Sequence, residues 1–430
     1  MQTEHTLEIK KIIAGGSGLG QLDDGLVVMA PFVLPGELVR VVEKKRCSGH
    51  ILAELRQVLR SSPLRCQPLC HHFGRCGGCN LQQAPYVEQL PLKREIVREL
   101  LERARLSSTP VIKAVVPSPQ SQGYRYKVRF HLSRNGEIGF HRMGSNDLIA
   151  ITKCPLATPV INDALGELME SGLVSPAARY CRQIEYICSP DDTSVIATFF
   201  LSGGRKPPNS FISAICALKK CAGVAFCRGR KTIFSRGKFG CSQLFATGQT
   251  SYTLHWNKHS FFQVNPGQNR QLVQLVCELA GDLSESRVLD LFCGMGNFSI
   301  PLALAGAAVT GVELNKKAIS DAGKNAQNAG IKGIRFIAAD VTRYLQGLVG
   351  GKNHFDVLVL DPPRRGLGRT TELLVSIGSG MIIYISCDPA TMMRDIRILA
   401  QGGYRLSTII PVDMFPHTHH IECVAVLEKN

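Results

Sequence analysis

The sequence lacks any uninterrupted run of about 18 apolar residues, which is the length that a membrane-spanning helix requires. Its longest apolar runs are short and lie at 27–34 and 381–385. The first residues are polar and do not show the basic-then-apolar pattern of a secretory signal. We therefore expect a cytoplasmic protein with no membrane partner, in which the cysteines remain reduced thiols.

Acidic residues are scarce, since the 430 residues include 34 Asp and Glu against 50 Lys and Arg, a formal charge of +16. The excess is concentrated in the middle of the chain, where residues 61–250 hold 25 basic and 12 acidic side chains. A basic segment of this size attracts polyanions by releasing their counterions. Nucleic acid is therefore the expected partner, and the apolar fraction of 44% indicates folded cores instead of a disordered chain.

The sequence pattern divides the chain into three parts. Short apolar runs separated by glycines over residues 8–58 predict a small β-barrel, an architecture that often binds nucleic acid. The middle part combines a cysteine-rich block, a predicted helix at 91–105 and a predicted strand at 124–130, which indicates a mixed α+β domain. From residue 251 strands alternate with helices, which predicts an α/β fold with a parallel, doubly wound sheet. The predicted domains are 1–58, 59–250 and 251–430, and the predicted strands of the last domain end near Asp290, Glu313, Ile337, Leu360 and Ile385.

A glycine-containing turn follows the first predicted strand of the C-terminal domain. Gly294 and Gly296 leave room for a ligand beside the turn, and Glu313 ends the next strand, where an acid suits two ribose hydroxyls. The third glycine of the dinucleotide motif is missing, because Ser299 occupies its position. We therefore expect S-adenosylmethionine, which has an adenosine end and no phosphate, with Asp340 at a further strand end. The alternatives are a dinucleotide reductase and an α/β domain that binds no ligand.

Two more strand ends carry groups that suit a reaction. Asp361-Pro362-Pro363 and Ser386-Cys387 follow the fourth and fifth predicted strands, so both face the same crevice. Methyltransferases that act on exocyclic amines have an aromatic residue after such a Pro-Pro pair, whereas this chain has Arg364. A cysteine at this place indicates covalent chemistry, because thiolate addition to carbon 6 of a pyrimidine makes carbon 5 nucleophilic toward a methyl group. A structural, buried cysteine is the alternative for Cys387.

This chemistry also needs a base, which removes the proton at carbon 5 so that the thiolate can leave. The strongest candidate is Glu422, which ends a histidine-rich stretch that begins at Phe415. A surface glutamate or a His/His/Glu metal site would account for this stretch equally well. Phe261 and Phe262 either stack on the target base or pack inside the domain.

Four cysteines, Cys70, Cys76, Cys79 and Cys154, form a group that indicates metal binding. The first two are separated by five residues, which is longer than the spacing of two to four residues typical of structural zinc sites. Four cysteines commonly hold an iron–sulfur cluster. Because a fourth protein ligand closes the open iron that radical enzymes need, we expect a structural or RNA-positioning role for the metal.

Five motifs follow one another along the chain: Cys70 to Cys79, Phe262-Gln263-Val264-Asn265, Asp290 to Asn297, Ser386 to Pro389, and Phe415 to Glu422. In this order they resemble the RNA (uracil-5-)-methyltransferase family, and within it the bacterial 23S ribosomal RNA enzymes that carry a TRAM domain and an iron–sulfur cluster. The resemblance covers nearly the whole chain. It implies a C-terminal class I (Rossmann-like) methyltransferase domain, a TRAM barrel over residues 1–58, and a central domain that carries the cluster.

The resemblance also implies roles for individual residues. Cys387 is the nucleophile and Glu422 is the base. Together with the glycine turn, it gives these expected cofactor-binding residues: Gln263, Phe292, Gly294, Asn297, Glu313, Asp340 and Asp361. Of these, Gln263 and Asp361 would also touch the uracil. The four cysteines named above would hold a 4Fe–4S cluster.

The expected function is therefore methylation of carbon 5 of a uridine in 23S ribosomal RNA, carried out by a monomer. A tRNA uridine methyltransferase would use identical chemistry and differ only in its RNA. The stretch that ends at Glu422 argues against a cytosine-5 methyltransferase. Intact Cys387 and Glu422 argue against an RNA-binding assembly factor with an inactive catalytic domain.

Overall fold

The computed structural model describes residues 3–106, 110–247, 250–257, 260–351 and 354–429. The chain begins with five strands, β1 Glu4–Ile12, β2 Gly18–Gln21, β3 Val27–Ala30, β4 Leu38–Cys47 and β5 His50–Arg60. They form a closed barrel in the order β1-β2-β3-β5-β4. Alternate residues such as Leu7, Ile9, Val39 and Val41 point into its core, as the period of a strand requires. The predicted N-terminal barrel is confirmed.

A long helix, α1, follows the cysteine-rich block and spans Tyr86–Ala104. The predicted start at Pro91 was wrong, because the helix begins five residues earlier. Pro91, in the second turn, has no N–H to donate to the carbonyl of Val87, so one intrahelical hydrogen bond is missing. Val87 is exposed, so water can donate to this carbonyl instead. α1 packs against the C-terminal domain and brings buried Gln89 and Lys93 to it.

The central part of the chain contains a seven-stranded sheet with helices packed on it. After the short strand β6 Val111–Ile112, its strands are β7 Lys127–Leu132, β8 Ile138–His141, β9 Leu148–Ala150, β10 Cys181–Cys188, β11 Val195–Leu201, β12 Cys221–Arg228 and β13 Lys231–Gly237. The order is β13-β12-β11-β10-β7-β8-β9. The helices are α2 Pro159–Glu170, α3 Val174–Ala178 and α4 Asn209–Cys216, and β14 Gly240–Thr247 pairs with β15 Thr250–Asn257 in a separate ribbon. The predicted mixed α+β organisation is confirmed.

The C-terminal part alternates strands and helices as predicted. Its elements are α5 Pro266–Ala280, β16 Arg287–Leu291, α6 Ser299–Leu304, β17 Ala308–Glu313, α7 Lys316–Asn328, β18 Ile334–Ala338, α8 Val341–Gln346, β19 Val357–Leu360, α9 Thr370–Ile377, β20 Met381–Ser386, α10 Pro389–Gln401, β21 Tyr404–Val412 and β22 Glu422–Lys429. The sheet order is β18-β17-β16-β19-β20-β22-β21-β6. β16 to β20 are parallel and β22 is antiparallel to β20. The chain leaves β16 toward β17 and returns to β19 on its other side, so a ligand crevice is expected at the carboxyl ends of these strands.

Both faces of this sheet are covered. Leu272 and Val276 of α5 and Ile300 of α6 belong to the core on one face. Val97 of α1 and Met392 of α10 belong to the core on the other. Within the described ranges, none of the helices has the length and apolar character needed to cross a bilayer. The domain division at residues 58 and 250 stays a prediction.

Candidate active site

The turn after β16 has an unusual backbone. Phe292, Gly294 and Gly296 all have positive φ angles, of 65°, 56° and 92°. A left-handed conformation at a residue with a side chain, such as Phe292, costs of order 1–3 kcal/mol and is typical of functional sites. The N–H groups of Phe292 and Cys293 donate to the carbonyl of Val312, at 2.9 and 3.2 Å, which fixes the turn against β17.

Four carboxyl groups lie at the ends of neighbouring strands. Asp290 is buried in β16, Glu313 ends β17, Asp340 follows β18 and Asp361 follows β19. Burial raises the pKa of Asp290 to about 7, with the hydroxyl of Ser299 opposing the rise as a hydrogen-bond donor. Burial also raises the pKa of Asp361 to about 7, and the charge of Glu313 adds to this rise. These strand ends are therefore rich in carboxyl groups, and a cationic ligand there would lower the electrostatic cost of their ionised forms.

The two predicted cofactor-binding amides and Asp340 have different surroundings. Asn297 exchanges two hydrogen bonds with Asn269 of α5, at 2.9 and 3.1 Å, and no sequence motif marks Asn269 as its partner. Asp340 caps α8, because its Oδ1 accepts the N–H of Arg343 at 3.0 Å. Gln263 is buried just before α5. Gly294, Asn297, Glu313, Asp340 and Asp361 thus all lie in or beside the turns at the carboxyl edge of the sheet.

Cys387 and Glu422 lie opposite each other at the same edge. Ser386 of β20 pairs with Cys423 of β22, and continuing this antiparallel register by one residue places Cys387 beside Glu422. The charge of Glu422 accordingly acts on the Cys387 thiol. Burial raises the pKa of the Cys387 thiol to about 11, the nearby charges of Glu422 and Asp361 add to this rise, and Arg364 opposes it. Burial also raises the pKa of Glu422 well above its usual range. Arg364 is therefore a further member of this group, because its charge opposes the rise in pKa of both Cys387 and Glu422.

The β21–β22 loop, residues 413–421, leads directly into Glu422. Its anchor is Lys93, which is fully buried and donates to Asp413 Oδ1 at 2.6 Å and to the carbonyls of Phe415 and His420 at 3.1 Å. Gln89 accepts the N–H of His417 at 2.9 Å. Residues on α1 thus hold a loop more than 300 positions away in the chain, which periodicity could not predict.

The four predicted metal ligands lie together. Cys70, Cys76, Cys79 and Cys154 line one cavity of about 360 Å³ between the cysteine-rich block and the central sheet. Burial raises the pKa of the thiols of Cys70, Cys76 and Cys79, with a further rise from neighbouring cysteines, and the pKa of Cys79 reaches about 12. The N–H of Gly78 points at Cys76 Sγ at 3.4 Å. In the part of the chain that the structure describes, no three Cys, His, Asp or Glu side chains are arranged to hold a single metal ion.

The two adjacent phenylalanines differ in their surroundings. Phe262 is buried and packs against Trp256, with 5.1 Å between the ring centroids. Phe261 is 71% exposed. Of the two roles weighed from the sequence, Phe262 has the packing role, and Phe261 remains available to stack on a base.

Comparison with known proteins defines the class of this chain. The family model described as tRNA (Uracil-5-)-methyltransferase matches residues 85–430. The chain therefore belongs to the RNA (uracil-5-)-methyltransferase family and is an RNA uracil-5-methyltransferase. The family, enzyme class and fold class expected from the motifs are confirmed.

Individual relatives cover almost the entire chain. It is 32% identical to an RNA methyltransferase of Aquifex aeolicus over 98% of each protein. It is 30% identical to the 23S rRNA (uracil(1939)-C(5))-methyltransferase RlmD of Aeromonas salmonicida, over 96% of this chain and 93% of the relative. The solved Pyrococcus abyssi tRNA (uracil-54, C5)-methyltransferase, in complex with S-adenosyl-L-homocysteine, superposes with a TM-score of 0.76 at 27% identity and covers 98% of this chain and 99% of its own. The expected methyl donor, S-adenosylmethionine, is supported by these relationships.

Proposed function

We propose that this chain methylates carbon 5 of a uridine in 23S ribosomal RNA, with Cys387 as the nucleophile and Glu422 as the base. The observation that carries the proposal is the register of β20 and β22, which brings these two side chains together beside the carboxyl group of Asp361. A uridine ring between them would offer carbon 6 to the sulfur and carbon 5 to the carboxylate. Such a base must be unpaired or flipped out of its helix.

The reaction begins when the Cys387 thiolate forms a bond to carbon 6, which makes carbon 5 electron-rich. S-adenosylmethionine would supply the methyl group to carbon 5, and its sulfonium–methyl bond would break to leave S-adenosylhomocysteine. Glu422 then takes the proton from carbon 5, the carbon 5–carbon 6 double bond forms again, and the electrons of the sulfur–carbon bond return to Cys387. Burial raises the pKa of Glu422, which strengthens the carboxylate as a base, while Arg364 limits this rise.

The carboxyl-rich strand ends are proposed as the site of the methyl donor. We assign binding to Gln263, Phe292, Gly294, Asn297, Glu313, Asp340 and Asp361. Carboxylates near the strand ends suit the positive sulfonium and amino groups of this donor. Glu313, at the end of the second strand, suits its ribose hydroxyls.

The cysteine cavity is proposed as a 4Fe–4S site with Cys70, Cys76, Cys79 and Cys154 as ligands. Four thiols on one cavity, with a backbone N–H directed at one sulfur, fit a cluster, which is larger than a single ion. Because burial raises the pKa of three of these thiols, loading must displace protons and should weaken as the pH falls. Iron and acid-labile sulfide analysis of anaerobically purified protein tests this, and protein without either would contradict the assignment.

Two variants test the covalent mechanism. Cys387→Ala should abolish methylation and leave RNA binding intact, because no thiolate adds to carbon 6. Glu422→Gln should accumulate a covalent protein–RNA adduct on denaturing gels, because the adduct cannot release its proton. Full turnover by Cys387→Ala, or no adduct with Glu422→Gln, would contradict the covalent mechanism.

The RNA substrate needs a separate experiment, because tRNA is a second candidate. The names of relatives such as the Aeromonas enzyme support 23S rRNA, whereas the Pyrococcus structure and the family description favour tRNA. Mass spectrometry of rRNA and tRNA from cells with and without this protein separates the two. Loss of 5-methyluridine from 23S rRNA alone is the expected result, and loss from tRNA alone would assign the second candidate.

A further inference from the structure

The β21–β22 loop receives contacts from a residue beside the cysteine cavity. Asn80 is buried and immediately follows Cys79. Its side-chain oxygen accepts the N–H of His419 at 2.8 Å, and its Nδ2 lies 2.7 Å from His419 Nδ1. The backbone N–H groups of Asn80 and Leu81 both donate to the carbonyl of His417, at 3.2 and 3.1 Å.

Asn80 also contacts the N-terminal barrel. Its Nδ2 donates to the carbonyl of Gly15 at 3.3 Å. A side chain at the next residue, Gly16, would collide with Asn80 and would approach His419 Cβ to 2.7 Å. Asn80 therefore lies where the barrel, the cysteine-rich block and the β21–β22 loop meet, and its amide has a partner for both its donor and its acceptor functions.

We propose that Asn80 is a positioning residue for Glu422, which directly follows the last loop residue, Ile421. This inference rests on the proposed covalent mechanism. Asn80 bonds to the loop through His417 and His419, and Glu422 is the group that removes the carbon 5 proton. The effect of Asn80 therefore falls on the release of the adduct, in which the carbon 5–hydrogen bond breaks and the sulfur leaves carbon 6. Thiol addition uses Cys387, and methyl transfer uses the donor site. Both steps therefore depend less on Asn80.

A matched variant separates this role from an effect on the cysteines. Asn162 bonds to the backbone of Cys154 with both ends of its amide, as Asn80 bonds to the loop. Its Oδ1 accepts the N–H of Cys154 at 2.8 Å, and its Nδ2 donates to the Cys154 carbonyl at 3.1 Å. Asn162→Ala thus removes an amide beside another cavity cysteine without touching the β21–β22 loop.

The test is a single-turnover reaction with uridine-containing RNA and S-adenosylmethionine, followed on denaturing gels, with Glu422→Gln as the trapping reference. Asn80→Ala should lengthen the lifetime of the methylated adduct by about tenfold or more, since misplacing a reacting group by about 1 Å can cost about 100-fold in rate. The rate at which Asn80→Ala forms the adduct should stay within about threefold of the wild-type rate, because the groups that react in this step are not displaced. Asn162→Ala should release its adduct at the wild-type rate.

The possible results are distinguishable. A wild-type adduct lifetime in Asn80→Ala, or equal lengthening in Asn162→Ala, would overturn the inference while Glu422→Gln still traps. Failure of Glu422→Gln to trap would instead refute the proposed mechanism. If Asn80→Ala does not fold, His419→Ala removes the ring nitrogen that contacts Asn80 Nδ2 and keeps the backbone N–H that bonds to Asn80 Oδ1. This variant should lengthen the adduct lifetime in the same direction, and an unchanged lifetime there also overturns the inference.

Discussion

The buried His417 should make the β21–β22 loop labile in mild acid. Burial, and secondarily the charge of Lys93, lower the pKa of His417 to about 4. An exposed histidine has a pKa of about 6.5, so between these two values the open loop binds more protons than the closed loop. The closed state therefore has its full stability above about pH 6.5 and loses it as the pH falls toward 4.

The size of this effect follows from the two pKa values. At pH 7.5 both forms are neutral, and protonation costs the closed loop almost nothing. At pH 5.0 the exposed histidine is nearly fully protonated and the buried one is not, which favours opening by about 2 kcal/mol, or about 30-fold. His417 has a φ of 66° and its Nδ1 lies 3.0 Å from Gln89 Nε2. Asn tolerates this backbone conformation and offers an oxygen to Gln89, so His417→Asn is a conservative variant that cannot titrate.

Hydrogen–deuterium exchange measures this opening directly. Protection in a peptide over 411–423, corrected for the intrinsic pH dependence of exchange, should fall about 30-fold further between pH 7.5 and 5.0 in wild type than in His417→Asn. His419 and His420 are present in both proteins, so their contributions cancel. Peptides from α5, which contains no histidine, should show no difference. An identical pH response of the loop in the two proteins would show that His417 does not make the loop labile in acid.

Three other outcomes follow from the site. Adduct formation should accelerate as the pH rises from neutral toward the Cys387 pKa of about 11. Arg364→Ala should slow adduct formation at pH 8, because Arg364 lowers that pKa. Denaturing gels of rapidly quenched reactions measure both rates. Gly296→Ala should weaken S-adenosylmethionine binding in calorimetry by about tenfold or more, since φ is 92° there and alanine would strain the turn. Lys93→Met should lower the free energy of unfolding by about 3–5 kcal/mol, because it leaves the buried Asp413 without its ion-pair partner. The loss should appear as a large fall in the thermal midpoint, and the double variant with Asp413→Asn should recover part of the lost stability.

Local pattern predicted much of the fold. The barrel strands and the five parallel strands of the C-terminal sheet carry short apolar runs bounded by glycines or acids, and the structure has them at those places. β6 was missed because two residues carry no periodicity; Val111 and Ile112 become a strand only by pairing with Thr408 and Ile409. The start of α1 was missed because water can replace the bond that Pro91 removes.

The candidate site was predicted in its chemistry and not in its supporting contacts. Residues with reactive groups at strand ends, such as Cys387, can be located because every parallel strand ends at the same edge. Asn269, Gln89 and Asn80 are ordinary amides, and their hydrogen bonds join segments that lie far apart in the chain. No local pattern marks such partners, so only the folded structure identifies them.

The pairing of one thiol and one carboxylate across a uridine is tested most directly by locating the trapped bond. Glu422→Gln, incubated with uridine-containing RNA and S-adenosylmethionine, is digested with nuclease and protease and sequenced by tandem mass spectrometry. We expect a peptide that carries a methylated uridine nucleotide on the sulfur of Cys387. A nucleotide bonded to any other residue, or a methylated RNA product with no bonded peptide, would contradict it.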